Sequence, residues 1–148
     1  MITIQTAIAA PPERCFDLSR DLDLHVRSMA GTGERAIGGR TSGLLDKGEE
    51  VTWQGRHFGL LLRHTSRMTC FERPRHFRDS MTRGRFAKFE HDHYFDEIQS
   101  GTLMRDVVDF ESPFGLVGRL VDRLFLRGYL ERLLPARALA IKGEAERS

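Results

Sequence analysis

Between Phe77 and Phe110 the chain carries two imidazoles and two carboxylates at spacings that can bring them together. His91 and His93 are two residues apart, so on an extended strand both rings leave from the same face. Asp79 lies upstream and Asp106 downstream, each at the parity that meets those rings if the intervening turns are tight. An ionised carboxylate taken out of water is expensive unless a donor meets it, and an imidazole is available to each. Such a set can hold a sheet together by Asp–His hydrogen bonds and leave a pocket partly polar. It can orient a hydroxyl or carbonyl of a mainly apolar ligand. It can also exchange protons, with Asp106 fixing the tautomer of His93 and with Asp79 and His91 in support. Two His and a carboxylate also suit iron or zinc with an open position, provided all three reach within about 2.2 Å of one ion. The spacing does not demand an ion, and neither a metal nor a cofactor is assigned.

The element that must position these groups runs from Phe86 to Pro113, FAKFEHDHYFDEIQSGTLMRDVVDFESP, a long hairpin turning at Ser100-Gly101. A symmetric closure sets Phe95 opposite Met104, His93 opposite Asp106 and His91 opposite Val108. One face is then aromatic and aliphatic with a few polar groups, and the other carries Lys88, Glu90, Asp92, Arg105 and Asp109 toward water. A mostly apolar wall with a few convergent polar groups is how small-molecule pockets are lined. The strand HFRDSMTRG brings Asp79 beside His91 across Gly84-Arg85, with Phe77 and Met81 at the same parity. A slip of one residue would reverse every one of these facings.

Candidates for the lining follow from the same parity. Phe89, Phe95, Met104 and Phe110 come from the hairpin, with Met68 and Met81 from the strands before it. Trp53, His57 and Phe58 sit in and after EEVTWQ, a strand that turns through Gly55 to Gly59. His25 and Met29 lie on a short helix near the expected mouth, where Glu34 is a further candidate, and Leu124 comes from the last helix. Flexible thioethers fit irregular ligands and ordinary cores alike.

The rest of the chain supplies the frame. Ile2, Ile4, Thr6 and Ile8 alternate as a first strand, stopped by Pro11-Pro12. PERCFDLSRD and LDLHVRSMAG read as two short helices joined near Asp21, with Phe16, Leu22, Val26 and Met29 inward. The glycine-rich zone from Gly31 to Gly48 lacks the GK[ST] ending of a phosphate loop and reads as tight turns around a short strand, Glu34 to Ile37. It is also the expected flap over a ligand. In LLLRHTSRMTCFE the even positions, Leu60 through Cys70, face inward. After Pro113 apolar residues recur at three and four: Leu116, Val117, Leu120, Val121, Leu124, Phe125, Leu130, Leu133 and Leu134. That is an amphipathic helix to about residue 145, roughly 30 residues or about 45 Å, which Pro135 should kink or divide. One α+β domain over 1–148 is expected.

Composition excludes several classes. With 40% hydrophobic and 30% charged residues the chain is ordinary for a globular protein. The formal charge is +2 and the basic residues are scattered among acids, which does not suit nucleic acid. No apolar run approaches the roughly 20 residues of a membrane span, and Met1 leads straight into a strand without a signal-peptide pattern, so a cytoplasmic location is expected. Cys15 and Cys70 have no metal-like spacing and read as reduced thiols. There is no GxSxG and no cysteine nucleophile arrangement.

The segments VTWQGRHFG (51–59), FRDSMTRGRFAKFEHDHYF (77–95) and GTLMRDVVDFESPFG (101–115), in this order of elements, resemble the START/Bet v 1-like (SRPBCC) superfamily, in its bacterial stand-alone polyketide cyclase/dehydrase-like branch. The resemblance implies the helix-grip fold: a curved antiparallel β-sheet wrapped around a long C-terminal helix, with two short helices after strand 1. It also implies a hydrophobic or aromatic small-molecule ligand, lipid, polyketide or isoprenoid-like, in a cavity between sheet and helix. A cofactor-independent cyclase or dehydratase using a His-Asp pair is the second reading, and a protein-interaction module the third. The superfamily hosts carriers, hormone-binding proteins and enzymes, so fold analogy does not choose among them. A monomer or homodimer is expected.

Overall fold

The computed structural model describes residues 1–147. Strands β1 (Ile2–Ile8), β2 (Arg35–Gly39), β3 (Glu50–His57), β4 (Leu60–Glu72), β5 (His76–Arg83), β6 (Lys88–Ile98) and β7 (Gly101–Glu111) form one antiparallel sheet. Its order is β1-β7-β6-β5-β4-β3-β2, so every neighbouring pair except β1–β7 is consecutive in sequence. Helices α1 (Pro12–Ser19) and α2 (Leu22–Ser28) follow β1, and Asp21 caps α2 by accepting from the Asp23 and Leu24 amides. The curved sheet grips a C-terminal helix made of α3 (Gly115–Val121), a π-helical segment (Asp122–Leu126) and α4 (Arg127–Ala145). This is the α+β helix-grip arrangement. Among the described residues no helix is long and apolar enough to cross a membrane.

The register follows the side-chain pattern of the long hairpin. Phe95 pairs with Met104, His93 with Asp106 and His91 with Val108, while Asp79 pairs with His91 across β5 and β6. Two local departures matter. β3 continues to His57, and its turn is only Phe58 and Gly59, both left-handed (φ 54° and 74°), the backbone a two-residue hairpin requires. β4 is bulged between Met68 and Cys70, which moves the inward parity from Cys70 to Phe71. Both cysteines are free, Cys15 buried and Cys70 partly exposed.

Phe16 of α1 anchors the core. It is fully buried and meets Phe71, Phe77 and Phe95 edge-on at centroid distances of 5.4, 5.1 and 5.4 Å, the geometry aromatic pairs prefer. The far end of the terminal helix is tied to the same region. Arg14 donates to the Ala145 and Glu144 carbonyls at 2.8 and 2.9 Å, and Glu146 accepts from the Ala9 amide at 2.8 Å. A cation on the last carbonyls also complements the helix dipole.

The near end is held differently and overturns an expectation. Leu116, Val117, Leu120, Val121, Leu124 and Phe125 face solvent, with Leu116 79% and Leu124 60% exposed. Gly118, Asp122 and Leu126 face the sheet instead. Gly118 sits so close to Ser112 that an added Cβ would meet its Cβ at 3.0 Å. Asp122 accepts from both the amide and the hydroxyl of Ser112. The wide π turn keeps these residues and Leu130 in line at four-residue spacing. Pro135 does not break α4. The carbonyl it leaves unbonded belongs to exposed Glu131, where water can meet it.

Asp122→Ala should therefore loosen the first half of the helix selectively. A charged hydrogen bond contributes about 1.5–3 kcal/mol, so amide exchange over 115–126 should quicken by roughly 10- to 100-fold. Exchange over 130–145 should stay unchanged. Equal acceleration along the whole helix would refute the tether.

Candidate functional site

A cavity of about 340 Å³ lies between the concave sheet face, α2 and the terminal helix. Its roof is Leu130, Leu133, Leu134 and Arg137, and its apolar floor includes Val51, Trp53, Met68, Phe77 and Phe89. Exposed Phe58, Arg63 and Arg85 mark its mouth, at the β3–β4 turn and the β5–β6 connection. Of the glycine-rich segment 31–48, only buried Glu34 and Leu45 line the cavity. The opening is thus bounded by the hairpin tip and the near end of the helix rather than by a glycine flap.

The first polar group is the Asp–His set on β5, β6 and β7. Asp79 and His91 reach the cavity, while His93 and Asp106 lie behind them in the sheet. The pairing is crossed. His93 Nε2 meets Asp79 Oδ2 at 3.1 Å, and His91 Nε2 meets Asp106 Oδ1 at 3.1 Å. His93 Nδ1 lies 2.9 Å from Asp106 Oδ1, an ion-pair distance without hydrogen-bond alignment. Burial pushes His93 toward the neutral form, but Asp106 and Asp79 outweigh it and raise its pKa above the ordinary value. Burial and the neighbouring His93 charge push His91 the other way, down to about 4. Burial opposes ionisation of Asp79 and Asp106, yet the imidazoles hold both below the usual carboxylate range. The set favours the charged form of His93 between two carboxylates and the neutral form of His91 at the wall.

His91, His93 and Asp106 offer ligand atoms within 4.8 Å of one another, a donor set for a divalent ion. Their rings, however, stack at 3.8 Å with planes only 21° apart, so both lone pairs reach one ion only after a ring turns.

The second polar group closes the other side. Glu34 Oε1 meets His25 Nε2 at 2.7 Å, and Glu34 Oε2 lies 3.5 Å from His57 Nε2. His57 Nδ1 meets the Tyr129 hydroxyl at 2.5 Å, linking sheet to helix. Burial would raise the Glu34 pKa, but His25 and His57 hold it at about 2. Burial also keeps His25 below its ordinary value, where it stacks on Trp53 at 4.0 Å. Phe58 packs on Tyr129 at 4.6 Å and shields this bridge from one side.

Of the sequence candidates, His25, Met29, Trp53, His57, Phe58, Met68, Phe89, His91 and Asp79 line the cavity. Phe95 and Met104 do not, because α1 covers that end of the sheet: Phe95 packs on Phe16, and Met104 Sδ accepts from Ser19. Met81 packs beside Gly84. Phe110 packs on Phe86 at the outer end of the hairpin. Leu124 turns to solvent with the rotated helix. Sequence reasoning missed Tyr129 and Arg137. Their signal was helical spacing, Tyr129 four residues before Leu133 and Arg137 three after Leu134, which puts both on the apolar stripe.

No protein-family model matches the chain, and neither does any curated protein. Solved structures do. The Zhui aromatase/cyclase of a Streptomyces species is 17% identical with a TM-score of 0.78, covering 99% of this chain and 93% of that one. A START superfamily protein of Mycobacterium smegmatis is 15% identical with a TM-score of 0.71, covering 98% and 96%. A major latex-like protein of Panax ginseng is 14% identical, also at 0.71, covering 99% and 97%. A curved sheet, a gripped helix and a hollow between them define a helix-grip protein. The chain shares its fold with these proteins, a START superfamily protein and an aromatase/cyclase among them.

The Asp–His set predicts a two-sided pH dependence. Between about pH 6.5, where an unfolded histidine titrates, and about 4, where folded His91 does, the unfolded chain binds a proton the folded chain refuses. Stability therefore falls as pH drops through that window, and the depressed carboxylates extend the loss below it. His93 acts oppositely: its stabilisation is complete below about 6.5 and fades as pH rises through its raised folded value. Urea midpoints of wild type and His91→Asn across both windows check this. The variant should lose part of the acid-side slope, and superimposable slopes would refute a neutral buried His91.

Proposed function

We propose that the chain binds a mainly apolar small molecule, lipid-, polyketide- or isoprenoid-like, between its sheet and terminal helix. The carrying observation is the hollow itself. Folded interiors are packed like organic crystals, with few voids larger than a water molecule. A space of about 340 Å³ under a leucine roof, with an aromatic and thioether floor, is of the size and character of ligand pockets. The two polar groups at its sides suit orientation of a hydroxyl or carbonyl on an otherwise apolar body.

A second reading, a cyclase or dehydratase, is favoured by one specific observation. Asp79 and His91 face the cavity from two hydrogen-bonded pairs, Asp79–His93 and Asp106–His91, which meet at the 2.9 Å ion-pair distance between His93 Nδ1 and Asp106. A charge change at either cavity-facing group is then offset by the neighbouring buried charges instead of being left unpaired. That one structural neighbour carries the name aromatase/cyclase agrees with this reading.

Trp53 is the chain's single tryptophan and lines the cavity, so its fluorescence reports on the interior. Titration with 1-decanol should shift its emission saturably. Ser66→Phe, which puts a ring into the floor, should weaken binding at least about tenfold, or ~1.4 kcal/mol. An unshifted Trp53 and no mass adduct in native mass spectrometry after incubation with a lipid extract would sink the ligand reading and leave an interaction module. Asp79→Asn separates the two readings: an enzyme loses turnover and keeps binding, whereas full turnover would exclude the acid–base role.

A further inference from the structure

We propose that Arg137 anchors an oxyanion, so that the ligand is an apolar body ending in a carboxylate or comparable acidic oxygen. The inference deepens the small-molecule reading above and rests on it.

Arg137 sits on α4, with its side chain in the roof of the cavity. Nη2 donates to the Ser19 carbonyl at 2.9 Å, which fixes the direction of the guanidinium. Nε is buried and meets no acceptor. The carboxylates around the cavity are engaged elsewhere: Asp79 with His93, Asp106 with both imidazoles, Glu34 with His25 and His57, and Asp21 with the first amides of α2. Among the described residues Arg137 therefore has no ion-pair partner, unlike Arg20, Arg73 and Arg78.

A guanidinium stays charged under all ordinary conditions and carries five donors in a rigid fork. Buried donors without acceptors are costly, and a fork of this shape matches the two oxygens of a carboxylate. Leu130, Leu133 and Leu134 on the same helix supply apolar surface beside it for the body of the ligand. An acidic head under Arg137 thus gives the roof's guanidinium the anionic partner it lacks and leaves the tail in the leucine- and aromatic-lined space.

Decanoate and 1-decanol test this, since they share a chain and differ in the head. At about pH 8 the acid is fully ionised, and Trp53 fluorescence reads both titrations. Wild type should bind decanoate at least about tenfold more tightly than decanol. Arg137→Gln should erase that preference by weakening decanoate alone, leaving decanol within about twofold, and Arg137→Lys should restore part of it. Equal affinity of wild type for both probes overturns the proposal, as does Arg137→Gln weakening both alike. If Arg137→Gln does not fold, the wild-type ratio and Arg137→Lys decide. Binding of decanol without preference removes the anchor and keeps the small-molecule reading, whereas binding of neither probe removes both.

Discussion

The structure depends on a buried polar cluster: His93 held between Asp79 and Asp106 in a mostly apolar sheet face. Each member alone would be an expensive charge in a poor dielectric. Together they satisfy one another, and removing any one strands the others. This requires three adjacent strands in a single register, because Asp79, His93 and Asp106 come from β5, β6 and β7. The network therefore specifies strand alignment as well as cavity polarity. It also explains why two neighbouring histidines differ so much. His93 takes both carboxylates as neighbours, and His91, stacked on its charge, is left neutral.

The cavity has a consistent chemical layout. Its lining is largely aliphatic and aromatic, and its main polar groups are the Asp–His side, the Glu34 bridge and the Arg137 roof, with His64 and Ser66 in the floor and Arg63 and Arg85 at the mouth. The Glu34–His57–Tyr129 bridge spans sheet and helix beside the mouth, so it fixes the distance between the two walls where a ligand passes. Apolar contact supplies the attraction, and the few polar groups select the orientation.

Much of this was legible in the residues. Strict alternation through Phe89, His91, His93 and Phe95, opposite Met104, Asp106 and Val108, left only one register that buries an apolar face. The terminal helix was less legible. Its periodicity announced a helix correctly but gave the wrong inward face over 116–125. Backbone proximity at Gly118 and a carboxylate from Asp122 decide the rotation there, and hydrophobicity does not. Lining was harder still than facing. Phe95 and Met104 face inward as their parity requires, yet α1 rather than empty space lies over them, and only the packing of Phe16 reveals that. The crossed pairing of imidazoles with carboxylates could not be read from parity, since neighbours one pleat apart are equally reachable by a side chain.

The terminal helix is gripped unequally along its length. At its last turn, Arg14 and Glu146 bind it to the first strand and first helix through several hydrogen bonds. Its beginning rests on Ser112 and a thin inward stripe. A rod clamped at its last turn and cross-braced to the sheet at Tyr129 can flex only in the turns before that brace, so the spacing at the mouth stays set while the earlier stretch is free to yield.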